Sequence, residues 1–332
     1  NELKEKLNNF TSSNDIFILA LHNLLGNKKE RNKNNAISFL KTASEKGNCY
    51  ASYLLGLHYA NDKCEKHDFN NAKSYFQRAT DQGNSNGLNA IGYYYMNGYG
   101  IERSYHMAIE YLKKSSKLGN SNAKNNLGVL YHTGNGVSQD FGKAEKYFEE
   151  SATLENPIGL YFLGSFYIGH KNENKYIKAK ERFELASNTG CISALNSIGN
   201  LYCNGCGVEK DYLKAKEYYE KSFNLGNLDA LVCLGDLYLN GYGVEKSFSK
   251  AKELYEKSFQ LGNINALVSI GNIYLNGNGV KINYSKAKKY YEKAVKLGDP
   301  SALIDIGKMY DNGLGVKMDK YKAQSCYKES HR

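Results

Sequence analysis

The sequence predicts an all-α protein built as an α/α solenoid, in which antiparallel helix pairs repeat every 36 residues. Three observations predict this fold class. A glycine recurs inside an apolar pattern at steps of 36 residues, with one step of 35. A tyrosine follows each glycine by three residues, and Ala or Gly precedes it by five. The recurring glycines are Gly56, Gly92, Gly128, Gly164, Gly199, Gly235, Gly271 and Gly307.

A second series of alanines marks the other helix of each repeat. Most of these alanines are followed after three and four residues by aromatic or aliphatic side chains, as in Tyr75-Phe76 and Tyr290-Tyr291. Spacings of three, four and seven place side chains on one stripe of an α-helix, so each repeat carries two amphipathic helices. The alanines of this series are Ala72, Ala108, Ala144, Ala179, Ala215, Ala251, Ala287 and Ala323.

Capping residues and glycines mark the boundaries of these helices. A side-chain oxygen at a helix start accepts hydrogen bonds from amides that the helix leaves unpaired, and Asn156-Pro157 is such a start for a first helix. Between the helices, Gly241-Tyr242-Gly243 and its counterparts supply the positive φ that ends a helix. A phosphate-binding loop needs a preceding strand and a following Gly-Lys-Ser/Thr, so these glycines are predicted to be turns. The predicted caps of the second helices are Asp68, Ser104, Asp140, Asp211, Ser247, Asn283 and Asp319.

The charge pattern does not favour a nucleic-acid partner. The sequence has 44 Lys and Arg against 34 Asp and Glu, a net charge of +10. The excess is spread over the repeats, and only the stretch from Lys281 to Lys296 is concentrated, mostly on the predicted solvated side of a helix. No apolar run approaches the roughly 18 residues that cross a bilayer, which predicts a soluble protein without a transmembrane segment.

The sequence leaves the compartment and the oligomeric state open. The chain begins at Asn1 without Met, so a signal peptide removed before Asn1 would allow a secretory route. Asn9 and Asn283 begin glycosylation sequons, which are weak evidence for that route among so many asparagines. Seven cysteines at irregular spacing give no disulfide framework and favour a reduced, cytoplasmic compartment.

No pattern of catalytic or metal-binding residues emerges from the sequence. Cys203 and Cys206 have the spacing of a zinc half-site, but they lack a second pair and the strand-to-helix context of a redox motif. The seven histidines show neither metal spacing nor a triad partner. No nucleophile motif, paired-carboxylate signature or cofactor fingerprint is present. The sequence therefore predicts a protein that is not an enzyme and takes no cofactor or metal.

The repeat resembles the Sel-one-like repeat (SLR) family. Ala266–Val280 reads Ala-Leu-x-x-Ile-Gly-Asn-Ile-Tyr-x-Asn-Gly-x-Gly-Val, and Ala287–Ala294 reads Ala-Lys-x-Tyr-Tyr-Glu-Lys-Ala. This resemblance implies a right-handed α/α superhelical solenoid, related to tetratricopeptide repeats, in which each repeat touches only its neighbours. It covers residues 48–332 as eight repeats, at 48–83, 84–119, 120–155, 156–190, 191–226, 227–262, 263–298 and 299–332.

Parts of the chain depart from the family pattern. Residues 1–47 are predicted to form a degenerate N-terminal capping repeat, with Ala20 in place of the glycine and Asn23 in place of the tyrosine. The turns at 61–67 and 169–174 lack the Gly-x-Gly sequence, so we expect longer or mobile turns there.

Proteins with this repeat are generally adaptors, so the resemblance implies a non-enzymatic scaffold that binds a partner protein or peptide. In the tetratricopeptide arrangement the first helices line a concave wall, built by residues three before, one after and four after each glycine. Amides beside aliphatic and aromatic groups suit a polypeptide ligand, because an amide both donates and accepts hydrogen bonds. The predicted wall residues are Asn89, Tyr93, Met96, Asn125, Val129, His132, Tyr161, Ile168, Asn196, Asn200, Cys203, Asp236, Leu239, Asn272 and Leu275.

Other interpretations of the sequence stay open. The abundance of asparagine is also what compositional bias would produce, and the apolar wall residues also fit a role in packing. The chain also fits a regulatory repeat domain of a larger enzyme, or a secreted factor that engages host cells. An RNA-binding solenoid is less favoured, because it needs a basic groove. Among the residues that directly follow the eight recurring glycines, Lys308 is the only lysine.

Overall fold

The computed structural model describes residues 12–25, 32–60, 68–170 and 172–330, and these form helices and turns without any strand. The predicted all-α fold of paired helices is confirmed. The expectations for the 61–67 turn and for the Asn9 sequon lie outside the described residues. The expectation of a longer turn at 169–174 is wrong, because the first helix ends at Gly169 and the second begins at Glu173, a shorter connection than that between Asn204 and Tyr212. The first helices of the pairs are α1 (Ser13–Leu25), α3 (Cys49–Ala60), α5 (Ser85–Asn97), α7 (Ser121–Thr133), α9 (Pro157–Gly169), α11 (Ser193–Asn204), α13 (Asp229–Asn240), α15 (Ala266–Asn276) and α17 (Ala302–Asn312). The second helices are α2 (Lys33–Glu45), α4 (Phe69–Asp81), α6 (Tyr105–Lys117), α8 (Phe141–Ala152), α10 (Glu173–Asn188), α12 (Tyr212–Asn224), α14 (Phe248–Gln260), α16 (Tyr284–Lys296) and α18 (Lys320–Glu329).

The chain divides into two compact units, residues 1–163 and 164–332, with the boundary inside α9. Away from α9, each helix packs on the helix before it and the helix after it. First helices of adjacent repeats also touch directly, α5 with α7 in the first unit, and α11 with α13 and α13 with α15 in the second. Each unit therefore has a layer of first helices whose side chains lie close together.

Glycine at the centre of every first helix except α1 allows the second helix to approach closely. A Cβ on Gly128 would lie 2.5 Å from the ring of Phe148, and one on Gly199 would lie 2.5 Å from the ring of Tyr219. Both distances are shorter than carbon atoms tolerate, so any side chain at these positions would push the helices apart. The sequence pattern of glycine plus aromatic is thus a packing rule between the two helices of a pair.

Asparagines at the starts of first helices cap the helix and also join it to the preceding repeat. The Asn120 Oδ1 accepts a hydrogen bond from the Ala123 amide at 3.0 Å, while its Nδ2 donates to Asn86 Oδ1 at 2.7 Å. We call this second contact the asparagine bridge. The same bridge joins Asn48 to Asn14, Asn156 to Asn122, and Asn263 to Asp229.

One repeat carries a cysteine at this capping position instead. Cys191 has no amide group and therefore donates no equivalent bridge. The residues at this position are Asn48, Asn84, Asn120, Asn156, Cys191, Asn227, Asn263 and Asp299.

The predicted caps and glycine turns are present where the structure describes them. Asp211 Oδ1, for example, accepts from the Lys214 amide at 3.0 Å and starts α12. Gly98 has a φ of +76° and ends α5, and Gly100 in the same turn has a φ of +63°. Among the described helices, none has the length and apolar character needed to cross a membrane.

Candidate protein-binding surface

The predicted wall residues lie on one face of the first helices, because positions three before, one after and four after the glycine span two turns of helix. In the first unit this face is partly open to solvent, since Tyr93 is 40% exposed and Leu57, at the equivalent position of α3, is 42% exposed. His132 is also exposed, whereas Asn125 is buried. The half-buried members of the face are Asn89, Met96, Val129 and Tyr161.

In the second unit the same face carries a similar mixture. Asn200 and Asp236 are exposed, and Asn196 is buried. The half-buried members are Ile168, Cys203, Leu239, Asn272 and Leu275. We call the residues of this face, with Leu57, the first-helix surface of each unit.

Two buried asparagines of the first-helix surface lack hydrogen bonds that their amides would normally make. Asn125 is 2% exposed, and neither its Oδ1 nor its Nδ2 has a partner among the described residues. Asn196 is 9% exposed, and its Oδ1 is likewise unpaired. A buried amide without partners costs about 1 to 3 kcal/mol, so these two residues lower the stability of their helices.

In the second unit, three polar residues of the first-helix surface accept hydrogen bonds from tyrosines of the paired second helix. Burial raises the pKa of each of these tyrosines, so the hydroxyls stay neutral and donate. These two amides and the carboxylate therefore use part of their hydrogen-bonding capacity inside the repeat. The pairs are Tyr219 with Asn200, Tyr255 with Asp236, and Tyr291 with Asn272, each at 2.6 Å.

The Asp236 carboxylate has an altered pKa. Surrounding protein atoms displace water from the carboxylate and raise its pKa, although part of the side chain is exposed. The hydrogen bond from Tyr255 acts in the opposite direction and offsets part of this rise.

The first unit contains a cavity of about 540 Å³ between α3, α4 and α5. We call it the aromatic cavity. The ring of Phe76 lies T-shaped against Tyr94 at 5.5 Å between centroids, and Phe69 stacks on Tyr99 at 5.7 Å. None of the side chains that line it is charged, so it suits an uncharged, largely apolar group. The lining residues are Tyr53, Leu57, Ala60, Phe69, Phe76, Asn89, Ala90, Tyr93, Tyr94 and Tyr99.

Tyr94 places a polar atom in this apolar environment. Its side chain is 5% exposed, and its hydroxyl oxygen is buried with no hydrogen-bond partner among the described residues. Desolvation, together with the neighbouring Tyr99 hydroxyl, raises the pKa of Tyr94 to about 12. The hydroxyl is therefore neutral at neutral pH, with one hydrogen to donate and lone pairs to accept.

Of the residues that line the aromatic cavity, the sequence analysis named Asn89 and Tyr93 as wall residues but did not name Tyr94 or Tyr99. Tyr94 follows the wall position by one residue, where most other repeats carry an aliphatic side chain such as Leu130, Leu201 or Leu237 and two carry His58 and Phe166. That substitution of an aromatic hydroxyl for an aliphatic group was the signal available in the sequence. Tyr99 occupies the middle of a Gly-x-Gly turn, a position with no common residue type.

Lysines of the second helices lie over the first-helix tyrosines that stand three residues after the recurring glycines. In the second unit, Lys286 Nζ lies 4.2 Å from the centre of the Tyr274 ring and donates to its hydroxyl at 2.9 Å. Lys288 and Lys322 approach Tyr310 at 5.4 and 5.6 Å. Part of the positive charge of α16 therefore makes cation–π contacts within the fold.

The described residues contain no group of three or more His, Cys, Asp or Glu arranged to hold a metal ion. Cys203 and Cys206 are unpaired, and burial raises the pKa of the Cys203 thiol, which makes it less reactive. Nothing in their geometry favours a redox pair.

These features define the class of protein. Stacked helix pairs, a packing glycine in the first helices after α1, and a partly open first-helix surface are those of a helical repeat protein. The chain belongs to the Sel1 repeat family, as its resemblance to Sel-one-like repeats predicts. The family's sequence profile matches residues 16–48, 49–84, 85–120, 121–156, 192–227, 229–263, 264–299 and 300–330. The first match falls within the degenerate repeat predicted at 1–47, extending one residue beyond it, and the α9 and α10 pair lies between two matches.

Solved structures share this fold. A protective antigen of uropathogenic Escherichia coli with an SLR fold is 21% identical, with a TM-score of 0.56 over 99% of this chain and 78% of that chain. A Sel1 repeat protein from Oxalobacter formigenes is 27% identical, with a TM-score of 0.58 over 73% of this chain and 96% of that chain. A comparison with curated proteins finds no match. Sel1 repeats generally mediate contacts between proteins and are typically not catalytic.

Proposed function

We propose that this protein is a non-enzymatic scaffold that binds a protein or peptide partner on its first-helix surfaces. The observation that carries the proposal is the composition of this surface in the first unit. Two large apolar side chains, Leu57 and Tyr93, are about two-fifths exposed beside the half-buried amide of Asn89. Exposed apolar groups next to amides match a polypeptide, which offers apolar side chains and backbone hydrogen bonds together.

RNA binding is the weaker alternative on physical grounds. A groove that binds RNA needs lysines or arginines free to contact phosphates. Lys308, the only lysine directly after one of the eight recurring glycines, is paired with Asp305 at 2.9 Å. Lys286 is held against the Tyr274 ring. A partner with a polypeptide surface therefore fits the first-helix surface better than a polyphosphate backbone.

The proposal is tested by comparing the proteins captured by the wild type and by two variants, with quantitative mass spectrometry. Tyr93→Glu places a carboxylate on the first-helix surface. Leu213→Glu makes the same kind of change at an exposed position of α12, a second helix, where the side chain is 61% exposed. We expect a partner that binds the wild type and Leu213→Glu and is reduced at least about tenfold with Tyr93→Glu.

The captured partner is then purified and its affinity for the three proteins is measured directly. Circular dichroism melts establish that both variants fold. Equal affinity of all three proteins, or loss only with Leu213→Glu, would remove the first-helix surface of the first unit as the binding site.

A further inference from the structure

We propose that the aromatic cavity is an anchor pocket for one aromatic side chain of a bound peptide, and that this side chain carries its own hydrogen-bonding atom. The inference rests on the proposed function, because it assigns one contact of a polypeptide partner. The anchor would be a Trp or Tyr side chain whose ring fills the cavity between α3 and α5. Its polar atom would pair with the Tyr94 hydroxyl.

The shape and chemistry of the cavity carry the first step. Its volume of about 540 Å³ exceeds what one small side chain fills, and aromatic rings form most of its lining. The rings already present make T-shaped and stacked contacts, including Phe69 with Tyr94 at 6.0 Å and Phe69 with Tyr99 at 5.7 Å. Aromatic rings prefer these arrangements, so another ring gains contacts that an aliphatic chain would not. The absence of charge among the lining side chains disfavours a Lys, Arg, Asp or Glu anchor.

The Tyr94 hydroxyl carries the second step. It is buried without a partner among the described residues, at a position where the preceding repeat has His58 and the following repeat has Leu130. A polar atom on the incoming ring would satisfy this hydroxyl, either as donor, like an indole N–H, or as donor and acceptor, like a phenol. A plain phenyl ring would leave the hydroxyl unpaired and would bind less tightly for that reason.

The entry path is set by Tyr99. Its ring lies 5.9 Å from the ring of Tyr94, it is 40% exposed, and it stands between the positive-φ residues Gly98 and Gly100. Because the Tyr94 hydroxyl is itself buried, a ligand ring would reach it when the neighbouring Tyr99 ring rotates away. Tyr93, at the rim, lies on the first-helix surface, so the rest of the peptide would continue along that surface.

The test uses N-acetyl-tryptophanamide as the probe with the full chain. The protein contains no Trp, so the fluorescence of the probe, excited at wavelengths that tyrosine does not absorb, is observed without a tryptophan background from the protein. We expect a dissociation constant on the order of 1 mM, as suits a single small side chain. N-acetyl-tyrosinamide and N-acetyl-phenylalaninamide are measured by competition, and the phenylalanine probe is expected to bind about three- to tenfold more weakly than the tyrosine probe.

Two variants and two matched controls make the test specific. Tyr94→Phe is expected to weaken the tryptophan and tyrosine probes about three- to tenfold and to leave the phenylalanine probe unchanged. Ala90→Leu fills the cavity and is expected to weaken all three probes at least about tenfold. Tyr95→Phe removes a hydroxyl from the next residue, which stacks on Tyr111 outside the cavity. Ser197→Leu introduces the same leucine at the equivalent position of α11, and both controls are expected to bind like the wild type.

Each contrary result overturns the inference. Failure of every probe to bind, binding unaffected by both Tyr94→Phe and Ala90→Leu, or equal loss with the controls would each do so. Binding by Tyr94→Phe that matches the wild type for all probes would remove the hydrogen bond and with it the predicted anchor type. Capture of a partner that is lost with Tyr93→Glu yet unaffected by Ala90→Leu would leave the scaffold function standing without this pocket.

Discussion

The hydroxyl of Tyr255 donates a 2.6 Å hydrogen bond to the carboxylate of Asp236, 19 residues earlier, across the two helices of one repeat. The same contact recurs from Tyr219 to Asn200 and from Tyr291 to Asn272. Three repeats of the first unit lack both the hydroxyl and the amide or carboxylate acceptor in the first helix. There, Phe76, Leu112 and Phe148 correspond to the tyrosines, and Leu57, Tyr93 and Val129 correspond to the acceptors.

Asp236→Asn is expected to stabilise the protein at neutral pH, by up to about 1 kcal/mol. The pKa of Asp236 is raised in the folded state, so its carboxylate binds a proton more tightly when folded than when unfolded. The charged form therefore lowers stability at neutral pH, and this loss disappears as the pH falls below the pKa of an unfolded aspartate. Urea unfolding at neutral and acidic pH measures the effect. Asn272→Asp is the reverse control and should lower stability at neutral pH only.

Tyr94→Phe and Tyr219→Phe are expected to have opposite effects on stability. The Tyr94 hydroxyl has no partner among the described residues, so its removal should leave the free energy of unfolding unchanged or raise it by up to about 1 kcal/mol. The Tyr219 hydroxyl bonds to Asn200, so its removal should lower the free energy by about 0.5 to 1.5 kcal/mol. Chemical denaturation of both variants decides this, and a loss with Tyr94→Phe would mean that its hydroxyl is bonded in solution.

Asn125→Leu is expected to raise the free energy of unfolding by about 1 to 2 kcal/mol, because it replaces a buried amide without partners by an apolar group of similar size. Asn120→Leu is the control, since that asparagine caps α7 and bridges to Asn86. Its loss should cost about 1 kcal/mol or more. Thermal melts of the two variants measure these changes in stability. A destabilised Asn125→Leu variant together with a stabilised Asn120→Leu variant would contradict the structure. A stable Asn125→Leu variant that no longer binds its partner would assign the amide to recognition.

Gly199→Ala is expected to destabilise the protein by about 1 to 3 kcal/mol, since the added Cβ would lie 2.5 Å from the Tyr219 ring. Gly169→Ala is the matched control in α9, because a Cβ there has open space around it. That change should be neutral or stabilising by up to about 1 kcal/mol, as alanine favours a helix over glycine. Urea unfolding of both proteins is the measurement, and equal effects would show that the second helix does not pack on Gly199.

The sequence was sufficient to predict the helix pairs, the packing glycines and the capping residues, because each depends on spacing along one chain segment. Asp211 and Asn156 cap the helices that their positions predicted. Spacing also placed the wall residues on one helical face. It did not show that Asn125 and Asn196 are buried, because burial depends on how closely the neighbouring helices approach.

The aromatic cavity was beyond prediction for a similar reason. A repeat pattern averages over equivalent positions, whereas the cavity depends on what differs in one repeat. Tyr94 and Tyr99 are such differences. Their rings and hydroxyls contribute to a cavity only when α3, α4 and α5 pack together. Whether a tyrosine oxygen finds a partner is decided by distances of a few tenths of an ångström, which periodicity does not contain.

The cysteine in place of a capping asparagine has a consequence for how the second unit comes apart. Without an asparagine bridge at Cys191, the junction between α10 and α11 lacks the side-chain hydrogen bond that holds the start of α15 to α13 through Asn263. Amide protons near this junction should therefore exchange with deuterium sooner than those near Asn263, and fraying would begin from within the array as well as from its ends.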